Sequence, residues 1–233
     1  MRVTDQVSAE KWDEIARQSP WSTFYHTCAW AKILEATVEG CRLAPRLFTM
    51  DDGTEVLVPG VELPACRGLL REYHSMHRGA YGGPISAVAL SQDQVDEVFN
   101  ALYGMASEHT GIVVIHTNPY APVAPSSGYR LIRDCTYGIQ LDGGFTTVWN
   151  ERMSRNMRRG IKRARAAGIE IRVDSSDWAI EALYDLYLLS ARRWGDKTTW
   201  LRPKLLCENT VKLGGDRVTV RVALLDGRPI GAS

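Results

Sequence analysis

The sequence predicts a mixed α/β protein with two lobes, residues 1–142 and 143–233. In both halves, segments whose apolar residues recur at helical spacing alternate with short β-branched runs, which is the pattern of mixed α/β structure. Between the halves, Asp142-Gly143-Gly144 has the composition of a linker. The length of 233 residues suffices for one large domain or two small ones.

The first lobe is predicted to begin with two helices and a hairpin. Ser8 and Thr27 are suitable N-cap residues for the helices, and Asp51-Asp52-Gly53 is a hairpin-turn sequence. A long glycine-rich loop follows, and a loop of this length inside a domain is more often functional than not. The predicted elements are helices over residues 8–18, 27–37 and 91–109, strands over 43–50, 55–63, 112–116 and 130–141, and the irregular loop over 67–84.

The second lobe is predicted to contain three helices and three strands. The predicted elements are helices over residues 147–167, 178–194 and 202–213, strands over 169–173 and 217–225, and a last strand from Pro229. Asp226-Gly227 forms the turn before that last strand. A strand that follows a hairpin turn needs neighbours for its apolar face, so we expect the second lobe to be incomplete at Ser233. A short edge strand is the alternative.

Composition and charge predict a cytoplasmic protein. The apolar fraction of 45% and the charged fraction of 24% are ordinary for a globular protein. No apolar run reaches the ~18 residues of a membrane helix, and the N-terminus lacks a signal-peptide core. A net charge of +1 argues against a generic polyanion binder, and DNA is not a predicted partner.

The five cysteines are predicted to be reduced and mostly buried thiols. They are odd in number, are widely spaced and form no CxxC pair. This pattern argues against a zinc site or a redox motif.

The segment 149–168 carries the strongest local signal. Glu151 is the only acidic residue of the segment, and Gly160 lies within a dense run of cations: Arg152, Arg155, Arg158, Arg159, Lys162, Arg163 and Arg165. An apolar stripe that includes Trp149, Met157 and Ile161 is predicted to pack inward. The cations form either a solvated face or an anion site, and Arg155 and Arg159 are the candidate ligand-binding residues. Nucleic acid is a further alternative, although few aromatic residues accompany the run.

Four other residues are candidates for a functional site. Arg192 and Arg193 close a predicted helix, where they either stabilise the helix dipole or bind an anion. His74 and His77 lie in the irregular loop and are weak candidates for a catalytic base or a substrate contact. The two histidines lack a third metal ligand at convincing spacing, so no metal is predicted.

Six motifs, in this order, resemble the Fem-type branch of the GNAT-fold acyltransferases. They are FYHTCAWAKIL, AYGGP, VVIHTNPY, SRNMRRGIKRARAAGIEI, LLSARRWG and VALLDGRPIGAS. Each motif is short, but together they extend over nearly the whole chain, and the arginine-rich helix followed by glycine and a β-branched strand is the best match. The resemblance implies tandem GNAT-like lobes, the second incomplete, with a substrate cleft between them.

The resemblance also implies an activity, the transfer of an acyl or aminoacyl group to an amine. The expected acceptor is a peptidoglycan precursor, either UDP-N-acetylmuramoyl-pentapeptide or a lipid-linked form that would bring peripheral contact with a membrane. Aminoacyl-tRNA or acyl-CoA would be the donor and co-substrate, with no tightly bound cofactor. Lys32 and either Arg192 or Arg193 would then lie near the phosphates of the acceptor, for which basic residues are suited.

The chain departs from the family pattern at three places. Asn118 stands where the strand usually ends in aspartate, so no general base can be assigned there. No long helical arm interrupts residues 173–217, and no glycine-rich loop for a donor pyrophosphate is present. Two other interpretations therefore remain: an acetyl-CoA-dependent N-acetyltransferase of a small molecule, and a non-catalytic binder of carbohydrate or peptide.

Overall fold

The structure is a computed structural model that describes six stretches of the chain: residues 1–77, 80–105, 110–121, 123–133, 135–195 and 201–233. It separates into two compact units. One unit comprises Met1–Ile132 with Lys212–Arg217, and the other comprises Arg133–Val211 with Val218–Ser233. The mixed α/β class is confirmed, since seven helices and three small sheets lie within the described residues. The lobe boundary at residues 142 and 143 stays a prediction.

Two capped helices follow the first strand of the first unit. Helix α1 (Ala9–Gln18) begins after Ser8, whose hydroxyl accepts a hydrogen bond from the Lys11 amide at 3.2 Å. Helix α2 (Cys28–Thr37) begins in the same way after Thr27. Each cap satisfies an amide that the first helical turn leaves without a partner. Both predicted N-caps are therefore confirmed.

A long two-stranded hairpin joins the two sheets of the first unit. The strands are β1 (Arg2–Thr4), β2 (Arg42–Leu43), β3 (Arg46–Thr49), β4 (Glu55–Val58), β5 (Val61–Ala65), β6 (Leu70–His74) and β7 (Thr110–Val114). One sheet has the order β1-β3-β4 and the other β2-β5-β6-β7. Strand β2 pairs with β5, and β3 pairs with β4. Between these two pairs the Ala44 amide donates to the Gly60 carbonyl at 2.9 Å, so the hairpin continues from one sheet into the other.

Strands β6 and β7 are parallel, and helix α3 (Gln92–Gly104) lies between them in the sequence. Val98 and Leu102 of α3 pack in a buried cluster with Tyr73 of β6 and Phe48 of β3. The side chains of a strand alternate between faces, so Glu72 and His74 lie on the face opposite the Tyr73 ring. The face of β6 that does not meet α3 therefore carries polar, titratable groups.

Two predictions for the first half of the chain are wrong. Residues 67–84 were predicted to be an irregular loop, but strand β6 lies within them because β5 and β7 pair with it. Residues 130–141 were predicted to form a strand, and the described part of that segment contains none. Leu131 and Ile132 in this segment are exposed. They therefore do not form the half-buried face that the side chains of a strand usually provide.

The second unit contains a short antiparallel sheet covered by a long helix. Its elements are α4 (Gly144–Thr147), a π-helical turn (Val148–Arg152), α5 (Arg155–Ala166), β8 (Glu170–Val173), α6 (Asp177–Trp194), α7 (Lys204–Gly214, whose last residues are grouped with the first unit), β9 (Arg221–Leu225) and β10 (Arg228–Ala232). The strand order is β10-β9-β8. Ala179 and Ala182 of α6 pack with Val220 and Val222, which forms the core of this unit.

Helix α5 differs from its prediction in two ways. The predicted helix over residues 147–167 is divided by the π-helical turn and by Met153 and Ser154, and Ser154 then caps α5. No residue of α5 is fully buried. The predicted packing is wrong for Met157, which is 55% exposed, whereas Trp149 and Ile161 of the same apolar stripe are half-buried.

Part of the first unit has the same connectivity as the sheet of the second unit. In the first unit β1 is followed by α1 and α2 and then, after the short strand β2, by the β3–β4 hairpin, and the antiparallel strand order is β1-β3-β4. In the second unit β8 is followed by α6 and α7 and then by the β9–β10 hairpin, with the antiparallel order β8-β9-β10. The sequence shows no exact repeat, so the two units resemble each other in connectivity alone.

Helix lengths and cysteine burial bear on two further predictions. In the described part of the chain, no helix is both long enough and apolar enough to span a membrane. All five cysteines are free thiols, as predicted, but only Cys28 and Cys41 are buried. Burial raises the pKa of the Cys41 thiol to about 11, so that thiol is protonated at neutral pH.

Candidate functional site

The basic segment of the second unit forms a cavity in front of helix α5. The cavity has a volume of about 370 Å³ and is lined by Trp149, Asn150, Arg155, Arg158, Arg159 and Lys162. Residues four apart on a helix lie on the same face, so Arg155 and Arg159 reach the cavity together. The structure thus brings both of these predicted ligand-binding residues to one place.

Arg158 has a structural role in this cavity. Its Nη1 atom donates to the carbonyl oxygens of Trp149 and Asn150, at 2.7 Å each. Those carbonyls belong to the π-helical turn, where regular α-helical hydrogen bonds are lacking. Arg158 therefore holds the turn against α5 and fixes the wall on which the Trp149 ring lies. A further arginine, Arg152, donates to the Gln140 carbonyl in the same unit.

The other three cations of the cavity are not neutralised. Within the described stretches of the chain, no carboxylate lies within ion-pairing distance of Arg155, Arg159 or Lys162. The Ser154 cap leaves the positive end of the α5 dipole beside them. Arginine forks match the oxygens of phosphate and carboxylate in bidentate geometry. The cavity is therefore suited to an anion with several oxygens.

The remaining predicted cations lie elsewhere. Arg192 and Arg193 are exposed at the end of α6, and Arg193 Nη2 donates to the Ser190 hydroxyl at 3.2 Å. Neither arginine lines the cavity. Lys32 is exposed on α2 in the first unit, near Glu10. Their predicted contact with acceptor phosphates stays a prediction.

The predicted histidines belong to a cluster in the first unit. The rings of His74 and His116 are stacked, with centroids 6.0 Å apart and an interplanar angle of 16°. The His77 ring meets His74 edge to face at 5.6 Å. His74 Nε2 lies 3.1 Å from a carboxylate oxygen of Glu72. The pKa of His116 is lowered by burial and, to a smaller degree, by the nearby His74, so His116 is neutral near pH 7.

A buried serine joins the ends of the parallel strands beside this cluster. The Ser75 hydroxyl accepts hydrogen bonds from the amides of His116 (2.8 Å) and Gly83 (3.2 Å). The Gly82 amide in turn donates to the His116 carbonyl at 2.8 Å. A Cβ atom on Gly82 would overlap the Ser75 carbonyl, so only glycine allows this close approach. These bonds fix the position of His116 relative to His74.

Asn118 has a structural role in this protein. It is buried; its Nδ2 donates to the Trp21 carbonyl at 2.5 Å, and its Oδ1 accepts from the Tyr120 amide at 3.0 Å. An ionised aspartate has no donor for the Trp21 carbonyl. The amide at this position is therefore matched to its surroundings.

Sequence reasoning missed three contributors to these sites. Trp149 and Lys162 were recognised in the basic segment but not as ligand-binding residues, and the i, i+3 spacing of Lys162 from Arg159 could have placed it on the cavity side. His116 was missed because its contact with His74 depends on the pairing of β6 with β7. The described residues include no group of three or more His, Cys, Asp or Glu side chains arranged to hold a metal ion.

Comparison with protein-family models and with curated proteins gave no match to this chain. The basic cavity and the histidine cluster are therefore interpreted from their own geometry and chemistry.

Proposed function

We propose that this protein is an acyl or aminoacyl transferase that forms an amide on an amine acceptor, a peptidoglycan precursor that carries a diphosphate. The observation that carries the proposal is the cavity at α5, where Arg155, Arg159 and Lys162 have no carboxylate partner among the described residues. Cell-wall precursors carry a diphosphate on the sugar to which the modified peptide is attached. The cavity offers such a group several charge-assisted hydrogen bonds at once.

Electrostatics favours a multiply charged ligand over a single carboxylate. Two unit charges at 4 Å attract by about 1 kcal/mol in bulk water and about 4 kcal/mol near a protein surface of intermediate dielectric constant. Because three cations act together on one cavity, each added charge on the ligand increases the attraction. The Trp149 ring supplies an apolar wall on which a nucleobase could stack, a contact worth about 1–3 kcal/mol per base.

The shared connectivity of the two units supports the proposal of tandem GNAT-like lobes. A strand, two helices and a hairpin occur in the same order in each unit, which is the kind of repeat that such a protein would have. In this proposal Arg192 and Arg193 of the second unit provide further contacts to phosphates, and aminoacyl-tRNA or acyl-CoA is the donor. An acetyl-CoA-dependent N-acetyltransferase is the second candidate, because the phosphates of coenzyme A would also suit the cavity.

Isothermal titration calorimetry tests the proposal. UDP-N-acetylmuramoyl-pentapeptide and acetyl-CoA are titrated into the wild-type chain and into R155Q/R159Q. A hydrogen bond to a charged group contributes about 1.5–3 kcal/mol, so loss of both guanidinium groups should weaken binding at least ~10-fold. R163Q/R165Q is the matched control, because it removes two charges from the same helix outside the cavity.

The outcomes separate the candidates. The proposal is supported if the muramyl ligand binds the wild-type chain, R155Q/R159Q weakens this binding, and R163Q/R165Q leaves it unchanged. Mass spectrometry then tests for amide formation with each donor. Binding of acetyl-CoA alone favours the N-acetyltransferase. Equal effects of the two double variants would show that the helix acts only as a diffuse positive charge. Tight binding without an amide product would favour the non-catalytic binder.

A further inference from the structure

The open face of strands β6 and β7 contains two histidine nitrogens for which the described part of the chain provides no partner. His74 Nδ1 and His116 Nε2 are both buried, and neither has a hydrogen-bond partner among the described residues. Buried polar atoms in folded proteins are nearly always paired, so each exception requires an explanation. Here the two exceptions belong to stacked rings at the ends of neighbouring strands.

Glu72 defines which nitrogen of His74 carries the proton. Its carboxylate oxygen lies 3.1 Å from His74 Nε2, and an ionised carboxylate can only accept, so Nε2–H donates. In the neutral ring Nδ1 then keeps its lone pair and acts as an acceptor. The nitrogen of His74 that faces away from Glu72 can therefore accept a hydrogen bond.

His74 Nδ1 is itself covered, so a ligand reaches this nitrogen from the open side of the sheet only when the side chains around it move. His74 itself is 7% exposed, but Glu72 is only partly buried, and Ile112, its partner on β7, is 50% exposed. His116 is also partly exposed, and its stacked ring borders the same space. The groups along this face are a carboxylate and ring nitrogens with lone pairs. They complement a ligand group that donates several hydrogen bonds.

We propose that Glu72, His74 and His116 form a binding site for a primary amine, in which the amine donates a hydrogen bond to His74 Nδ1. Glu72 is the positioning residue, because it orients the His74 ring and fixes its tautomer. The role of this amine as an acyl acceptor rests on the function proposed above, whereas the binding of the amine does not.

In the proposed transfer, His74 would serve as general base. The bound ammonium first loses one proton to solvent. The neutral amine nitrogen then forms a bond to the acyl carbonyl carbon, and a second proton passes from that nitrogen to His74 Nδ1. The ester or thioester bond to the donor breaks, and the departing oxygen or sulfur takes the proton from His74. The products are an amide and the free alcohol or thiol, and His74 returns to its initial state.

Histidine-ring NMR tests the site without any assay of transfer. Protein labelled with 15N at histidine is recorded at pH 7.5 alone, with n-butylamine, and with butyltrimethylammonium, which has a similar charge but no N–H donor. The H74Q spectrum identifies the His74 signals among the five histidines. We expect His74 Nδ1 to be unprotonated in the free protein and to shift with n-butylamine only. We expect E72Q to change the tautomer ratio of His74 and to weaken the response to n-butylamine at least 3-fold.

Three results would overturn the amine site: a protonated His74 Nδ1 in the free protein, no shift with n-butylamine, or equal shifts with both cations. Failure of the proposed function has a different signature. If n-butylamine shifts His74 but no amide product forms, the amine site stands and the transfer is refuted. If an amide product forms at the same rate in H74Q as in the wild-type chain, the transfer stands and the catalytic role of His74 is refuted.

Discussion

Acid should destabilise the first unit through His26, a fully buried histidine. His26 Nε2 lies 3.0 Å from the Gly82 carbonyl, and His26 Nδ1 accepts from the Thr23 amide at 3.1 Å. This pairing requires the neutral ring with its proton on Nε2, because a proton on Nδ1 would oppose the Thr23 N–H. Burial lowers the pKa of His26, and the two hydrogen bonds offset this effect only in part.

The sign and size of the effect follow from proton linkage. Below pH ~6.5 the unfolded chain protonates His26 while the folded chain does not, so the unfolded state binds more protons. The stabilisation that neutral His26 provides is complete above the pKa of His26 in the unfolded chain. It falls by at most about 1.4 kcal/mol per pH unit as the pH decreases towards the pKa of His26 in the folded chain. His116, whose pKa is also lowered by burial, should add a contribution of the same sign.

Urea unfolding between pH 7.5 and 5 measures this slope. The indole N–H of Trp12 donates to the His26 carbonyl at 2.6 Å, so its NMR signal reports on the first unit specifically. H26Q keeps a side chain of similar polarity but cannot be protonated. We expect H26Q to be less stable at pH 7.5 and to lose less stability than the wild-type chain as the pH falls. Parallel stability curves for the two proteins would refute the reasoning.

Two substitutions beside the histidine cluster should also be destabilising. G82A should cost about 1–3 kcal/mol, because its methyl group would overlap the Ser75 carbonyl, whereas G104A at the end of α3 has open space and should be neutral or stabilising. Urea denaturation compares them, and equal stabilities would show that the loop adapts without cost. N118D should cost about 1–3 kcal/mol at pH 7, because it leaves the partly buried Trp21 carbonyl without its donor. Recovery of stability when the introduced carboxylate is protonated at lower pH would support this cause, and unchanged stability at both pH values would exclude it.

The features that the sequence predicted correctly depend on local chemistry. Ser8 and Thr27 cap their helices through hydroxyls that reach amides three residues ahead. Asp226 and Gly227 form the predicted turn with φ values of 49° and 74°, a conformation that Asp and Gly tolerate. Arg155 and Arg159 share the cavity because of helical spacing alone. Each of these interactions joins residues within a single turn of the chain.

The features that were missed depend on pairing between distant segments. Strand β6 forms because β5 and β7 lie on either side of it, although its own sequence resembled a loop. The contact of His74 with His116 follows from that pairing. Conversely, the apolar stripe of α5 was identified from periodicity, but periodicity cannot say whether another element covers it. Met157 is accordingly exposed.

The hydrogen bonds of Arg158 separate the shape of the cavity from its charge. Added salt weakens the attraction of exposed cations for a ligand, since screening acts over about 8 Å at physiological ionic strength. The two bonds from Arg158 to backbone carbonyls are short-range contacts and should persist in that salt. A concentrated salt solution would therefore leave the cavity formed but weakly attractive. Replacement of Arg158 by glutamine would instead release the π-helical turn. A salt titration therefore reports on the charge of the cavity, and mutation of Arg158 reports on its shape.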